Sequence, residues 1–205
     1  MTLPLSLAYA DSSGDGSDIV NGQINFQNSI SHVNVDTGHV WGDVSAASIA
    51  GGNSIDITTM NDTTVTNTQY NQSDAIAADL NGSMHQISGD ADMSATAFCN
   101  SASVSTDPNS TKVYSAQECH AADPSAALNA NVTDVGGNST LASTALGNTF
   151  EEDTNAPNAP VQNYQLNDSN LNSTNNSTVS NVKGSVNVTG AAVGNSGQII
   201  HYTTN

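Results

Sequence analysis

Positive charge is almost missing. Lys112 and Lys183 are the only cationic residues apart from five His, against 19 Asp and Glu in 205 residues, and the formal net charge is −17. A nucleic-acid binder displaces counter-ions with rows of Lys and Arg, so that class is excluded. Aromatic residues make up 4 % of the chain, with a single Trp (Trp41), three Phe and five Tyr. That is too little bulk for a conventional enzyme core of Leu, Ile and Phe. No apolar run reaches the ~20 residues of a membrane-spanning helix, so no transmembrane segment is expected. Charge of either sign is scarce as well, at 10 % of residues against ~25 % in an ordinary globular protein. Neutral polar residues fill the gap: 75 positions are Asn, Ser or Thr. A disordered tail, a repetitive β-structure and a small-residue filament protein are the classes that survive.

Spacing decides among them. Four segments align without gaps, starting at Gly42, Gly89, Gly137 and Gly184, at intervals of 47, 48 and 47 residues. Each begins with Gly and carries Ala at its ninth position (Ala50, Ala97, Ala145, Ala192). The twelfth is Asn followed by Ser or Thr (Asn53, Asn100, Asn148, Asn195). A fixed long period is the mark of a repeat architecture, not of disorder. Gln69, Gln117 and Gln165 follow the first three starts by 27, 28 and 28 residues and open a fainter second unit. The period therefore divides into half-repeats of about 23 to 24 residues, and a coil of either size fits.

Within a repeat, small or apolar residues alternate with polar ones, as in Ala91, Met93, Ala95 and Ala97. Period-two alternation means a strand with one buried face. Gly-Asn-Ser or Gly-Asn-Thr then reads as a turn, because Gly and Asn tolerate positive φ, followed by a second short strand such as Ile55–Ile57. The expected fold is all-β, a β-solenoid of stacked short strands. Coils ~4.8 Å apart would cover one another, with the Ala and Asn columns as ladders. A β-sandwich, with many short strands between turns, is the alternative, and it calls for larger core residues.

The Ala-x-Ala-x-Gly-Asn-Ser/Thr units alternating with Gln/Asn-rich units, over about residues 42 to 196, resemble those of curli-like and holdfast-attachment surface proteins of bacteria. The resemblance implies a secreted, extracellular, β-rich surface fibre or anchor without catalytic residues.

Ahead of the repeat domain (19–205) lie an apolar segment (1–10) and an acidic Gly/Ser linker (11–18). Leu3, Leu5, Leu7 and Tyr9 share one face at period two. An apolar strand on a flexible leash suits donation into a neighbouring subunit's sheet, and a head-to-tail contact of that kind builds a filament. An edge strand or cap on the same chain, and the remnant of a signal peptide ending at Ala8-Tyr9-Ala10, are the other readings.

Candidate chemistry is thin. Ser13 to Val20 approaches a calcium-binding nonapeptide through Asp15 and Asp18, but such sites need consecutive copies and only one is present. A plain linker fits better, and no cofactor is expected. The five His have no metal-ligand spacing and read as solvated surface positions, no nucleophile elbow or phosphate loop occurs, and Glu151-Glu152-Asp153 reads as a solvated loop. Cys99, which stands where the other repeats have Gly, and Cys119 are the only cysteines. An even count in an exported chain implies a disulfide, here between adjacent coils, with two free buried thiols as the alternative. Eleven Asn-x-Ser/Thr sequons permit surface glycosylation. The chain reads as a non-enzymatic subunit of an extracellular filament or adhesive fibre, formed by strand exchange or end-to-end stacking. Its partners would be further copies of itself, a surface glycan or an outer-surface anchor. A monomeric solenoid recognising a repetitive target, glycan or ice, is the alternative.

Overall fold

One 47- or 48-residue interval carries the chain once around its axis. The computed structural model describes residues 17–60, 62–106, 111–155 and 159–202, and among them there are twelve strands and no helix. Each turn contributes three strands. The short ones are β1 (Ser17–Asn25), β4 (Thr63–Asn71), β7 (Thr111–Cys119) and β10 (Val161–Asn167). The middle ones are β2 (Ser29–Val40), β5 (Ile76–Ile87), β8 (Ser125–Val135) and β11 (Asn172–Val182). The long ones are β3 (Val44–Thr59), β6 (Ala91–Thr106), β9 (Ser139–Thr154) and β12 (Val186–His201). Like strands stack into three four-stranded parallel sheets, ordered by coil. This is a β-solenoid of four coils, and its parallel, in-register pairing rules out the antiparallel sandwich. The half-repeat is not a coil: 23 residues would complete only half a circuit.

Register explains the repeat's first position. Gly89 N–H donates to Gly42 O, Gly137 N–H to Gly89 O and Gly184 N–H to Gly137 O, each at 2.9 Å. The residue after each Gly caps the next coil: Asp90 N–H donates to Asp43 Oδ1 (2.8 Å), Asn138 N–H to Asp90 Oδ1 (2.7 Å) and Ser185 N–H to Asn138 Oδ1 (3.0 Å). A Cβ at Gly89 or Gly137 would collide with that carboxylate and lie 2.7 or 2.8 Å from the backbone of the coil before it. Only a residue without a side chain lets consecutive corners approach this closely.

Left-handed backbone occurs elsewhere than expected. His39, Gln86, Asp134 and Asn181, with φ of 60°, 56°, 57° and 53°, form one column near the ends of the middle strands and turn each coil toward its long strand. The Gly-Asn step is not a turn between two short strands. Each long strand runs through it as one 16-residue element, bent where Gly52, Cys99, Gly147 and Gly194 drop out of the pairing register.

The bend creates two interiors. The first half of each long strand packs with the middle strands around Ile76, Leu80, Met84, Met93, Leu128 and Leu141. The second half packs with the short strands around Ile57, Val65, Val104, Val113 and Phe150. Ala50, Ala97 and Ala145 belong to the larger cluster, while Ala192 is exposed in the last coil.

Candidate functional site

At the bend the alternation breaks, and two consecutive residues face inward. In the second and third coils Cys99 with Asn100, and Gly147 with Asn148, are buried as pairs. The Asn side chains then stack. Asn53 Nδ2 donates to Asn100 Oδ1 (2.8 Å), Asn100 Nδ2 to Asn148 Oδ1 (2.7 Å) and Asn148 Nδ2 to Asn195 Oδ1 (2.9 Å). The same Nδ2 groups reach across to the short-strand sheet, to the carbonyls of Tyr70 (2.9 Å), Glu118 (2.9 Å) and Leu166 (2.7 Å).

A second ladder faces it. Gln69 Nε2 donates to Gln23 Oε1 (2.9 Å), Gln117 Nε2 to Gln69 Oε1 (2.8 Å) and Gln165 Nε2 to Gln117 Oε1 (2.8 Å). Each Gln also donates to a long-strand carbonyl: Ser54 (2.9 Å), Ser101 (2.9 Å), Thr149 (2.8 Å) and Ser196 (3.0 Å). The two ladders have opposite polarity. Asn amides donate toward the last coil, Gln amides toward the first. Together they form a seam that ties the short-strand sheet to the long-strand sheet. A buried donor or acceptor left unmade costs about 1–3 kcal/mol, so these amides fix the register of every coil. The Gln positions were visible as a spacing, but their ladder was not, since the equivalent Gln23 lies ahead of the first aligned repeat.

The same seam accounts for the cysteines. Gly52 faces Asn71 of the next coil, and Gly147 faces Asn167; a Cβ on Gly52 would collide with the Asn71 amide, and one on Gly147 would come within 2.9 Å of Asn167 Cγ. Between the second and third coils Cys replaces both members of that pair. Cys99 and Cys119 form a disulfide, with Cα atoms 6.0 Å apart. A covalent bond thus stands in for a Gly–Asn contact at the midpoint of the stack.

Two acidic environments depart from the solvated surface expected of them. Glu152 lies in β9, fully buried, and neither carboxylate oxygen has a hydrogen-bond partner. Its column is Val104 below and Ile199 above. Burial holds its carboxyl above the usual range, the charge of His201 partly offsets this, and that of Asp153 adds to it. The Glu151-Glu152-Asp153 run is therefore strand, with one member inside, and not every carboxylate faces water. Outside, His120 is bracketed by Asp168 Oδ2 (2.8 Å, to Nδ1) and Glu118 Oε2 (3.1 Å, to Nε2), with the Tyr70 ring 5.2 Å away. Burial works against its charge, yet the hydrogen bonds and charges of Asp168 and Glu118 hold its pKa above the ordinary value. It is a partnered side chain, in place of the freely solvated His expected.

Leu3, Leu5, Leu7, Tyr9 and Asp15 lie outside the described residues. Asp18 is exposed on β1 beside Thr64. Among the described residues no group of three or more His, Cys, Asp or Glu is placed to hold a metal, and no helix is long and apolar enough to cross a membrane. Among the described residues the repeated features are the ladders and the stack.

The model of one family, described as HfaD: Holdfast attachment protein D, matches residues 12–204. The chain belongs to the HfaD family. The holdfast-attachment half of the resemblance is thereby established, and the curli-like half finds no support. No curated protein and no solved structure matches the chain.

Proposed function

We propose that this HfaD-family chain is a structural subunit of an extracellular attachment apparatus, a rod that polymerises end to end at the cell surface. One observation carries the reading. The four coils form an unbroken parallel stack whose hydrogen-bond ladders run its full length, which suits bearing tension along an axis better than turning over a substrate. The family's description in terms of holdfast attachment supports an adhesive, cell-surface and non-enzymatic role. Sedimentation and electron microscopy of the whole chain test it: axial filaments are expected, and a monomer at every concentration overturns it. Deleting residues 2 to 10 separates the two modes of assembly. Filaments that persist support end-to-end stacking, whereas their loss with folding intact would point to strand exchange.

A second reading has its own observation. The outer face of the short-strand sheet exposes Val20, Ile24, Tyr114, Tyr164 and Leu166 beside Thr66 and Thr68. Flat aromatic faces amid neutral hydrogen-bonding groups suit sugar rings, so the same rod would also hold a surface polysaccharide. Tyr114→Ala with Tyr164→Ala should weaken retention on immobilised polysaccharide without changing assembly; unchanged retention counts against it.

A further inference from the structure

We infer that the two ends of the stack are complementary to each other, so that the last coil of one copy seats on the first coil of a second copy, head to tail and in register. This rests on the end-to-end reading above and specifies its contact.

The polarity of the seam makes the ends unlike. At the first coil, the Asn ladder begins with Asn53 Oδ1, which accepts no bond among the described residues. The Gln ladder ends there with Gln23 Nε2, which makes one bond, to Ser54 O. At the last coil the situation is reversed. Asn195 Nδ2 makes one 3.4 Å bond to Gln165 O, and Gln165 Oε1 accepts none. An amide nitrogen carries two donor hydrogens and its oxygen two lone pairs. The first coil therefore offers one acceptor and one spare donor, and the last coil offers the matching donor and acceptor. Stacked head to tail, Asn195 donates to Asn53 of the next copy while Gln23 of that copy donates to Gln165, and both ladders continue. Head-to-head or tail-to-tail contact that sets each column on itself instead places acceptor against acceptor in one ladder and donor against donor in the other.

Apolar area points the same way. Val186, Val188 and Ile199 belong to columns that are buried in the coil beneath, at Ser139, Leu141 and Glu152, yet they are 48 %, 46 % and 55 % exposed. The same columns begin in the first coil with Val44, Ala46 and Ile57. A second copy in register would set Val188 on Ala46 and Ile199 on Ile57. Parallel edge strands β10, β11 and β12 would pair with β1, β2 and β3, continuing the pairing already present within the chain. The Gly corner contributes least, because Gly42 N–H is already taken by Ser88 Oγ at 2.7 Å.

Ser54 and Ser196 are outward, exposed members of one column, so the inferred contact brings them to one strand spacing, ~4.8 Å. Ser54→Cys and Ser196→Cys chains, made separately and assembled at 0.15 M salt or above to screen their charge, are treated with a short bis-maleimide, to which the disulfide-bonded Cys99 and Cys119 are inert. Linked dimers are expected only in the mixture. Links within either variant alone, or assembly without links in the mixture, overturn the inference and leave end-to-end polymerisation standing; absence of assembly overturns both. As a second arm, Asn195→Asp keeps the oxygen that receives Asn148 but removes the outward donor. It should raise the critical concentration by about tenfold or more, whereas Gln198→Asp, with the same charge on the outer face of the same strand, should leave it within about twofold. Equal effects of the two substitutions would overturn the role given to the amide.

Discussion

The two interiors on either side of the amide seam are built from the same three-strand coil and are held by different forces. The larger one is a hydrocarbon interior, with Leu80, Met84, Met93, Leu128 and Leu141 at 0–1 % exposure. The smaller one has Ile57, Val65, Ala102, Val104, Val113 and Phe150, and beside them hydroxyls and a carboxyl: Thr59, Thr106, Thr111, Thr154 and Glu152 are all buried there. Among the described residues, Thr59 Oγ1, Thr111 Oγ1 and both Glu152 oxygens are buried without a partner, against Ser139 Oγ alone on the other side. A buried polar group without a partner costs free energy that apolar packing does not. The smaller interior is thus the weaker half, and the seam lets it share the stability of the larger one.

Cutting the seam should have the largest effect. Asn100→Leu would strand one N–H of Asn53, the Oδ1 of Asn148 and the carbonyl of Glu118, all bonded to Asn100 now. At about 1–3 kcal/mol per stranded group, a loss of about 3 kcal/mol or more is expected in chemical denaturation. Hydrogen exchange should show protection falling first in the short strands and the second halves of the long ones. Uniform loss across both interiors would show that they are one cooperative unit instead.

The disulfide comes next. Replacing Cys99 and Cys119 by Ser should cost about 3 kcal/mol, the loop-closure contribution expected for a 20-residue separation. Cys99→Gly with Cys119→Asn restores the pair that the flanking coils use, Gly52 with Asn71 and Gly147 with Asn167, and should recover part of that loss. If it is no better than the Ser pair, the equivalence of the Gly–Asn contact and the disulfide is wrong.

How much of this was readable beforehand follows from what each residue does. Gly42, Gly89, Gly137 and Gly184 announced the period because a corner that tolerates no side chain recurs once per coil. The alternation around Ala91 to Ala97 announced a one-sided strand for the same local reason. Gly52-Asn53 was misread as a turn because Gly followed by Asn carries the same local signal whether the chain reverses or merely bends. What distinguishes the two is the side chain across the seam, Asn71, eighteen residues beyond Asn53. Glu152 was misread because a charge run looks solvated, while strand alternation places every second residue inside whatever its charge. The Cys99–Cys119 pairing was legible from the even count, but not why Cys99 replaces Gly: Cys119 occupies the column of Asn71 and Asn167, on the strand that follows the one holding Cys99.

Glu152 gives a smaller effect confined to one pH range. Its raised pKa means that the fold favours the protonated form. The associated stability is complete below the unfolded value, about 4.3, and is lost as pH climbs through the raised folded value. Glu152→Gln should therefore be more stable than the parent chain at neutral pH, with the advantage vanishing in acid. A variant that is less stable at pH 7 would mean that the carboxylate is partnered, and the smaller interior would no longer be the weaker half.

The smallest effect concerns the outer surface. His120 joins three coils from outside, contacting Tyr70 of the second, Glu118 of its own and Asp168 of the fourth. Its pKa is raised because the two carboxylates outweigh its partial burial, so this contribution is complete below about 6.5 and is lost as pH rises through the folded value. Both raised groups favour the folded stack in mild acid, Glu152 by losing a charge inside and His120 by gaining one outside. In an NMR titration His120 should deprotonate at a higher pH than it does in the Asp168→Asn chain, and that substitution should narrow the difference in stability between pH 6 and pH 8 without altering the lower window set by Glu152. If Asp168→Asn leaves the His120 titration where it was, Asp168 does not hold the proton, and the charge on His120 does not tie the third coil to the fourth.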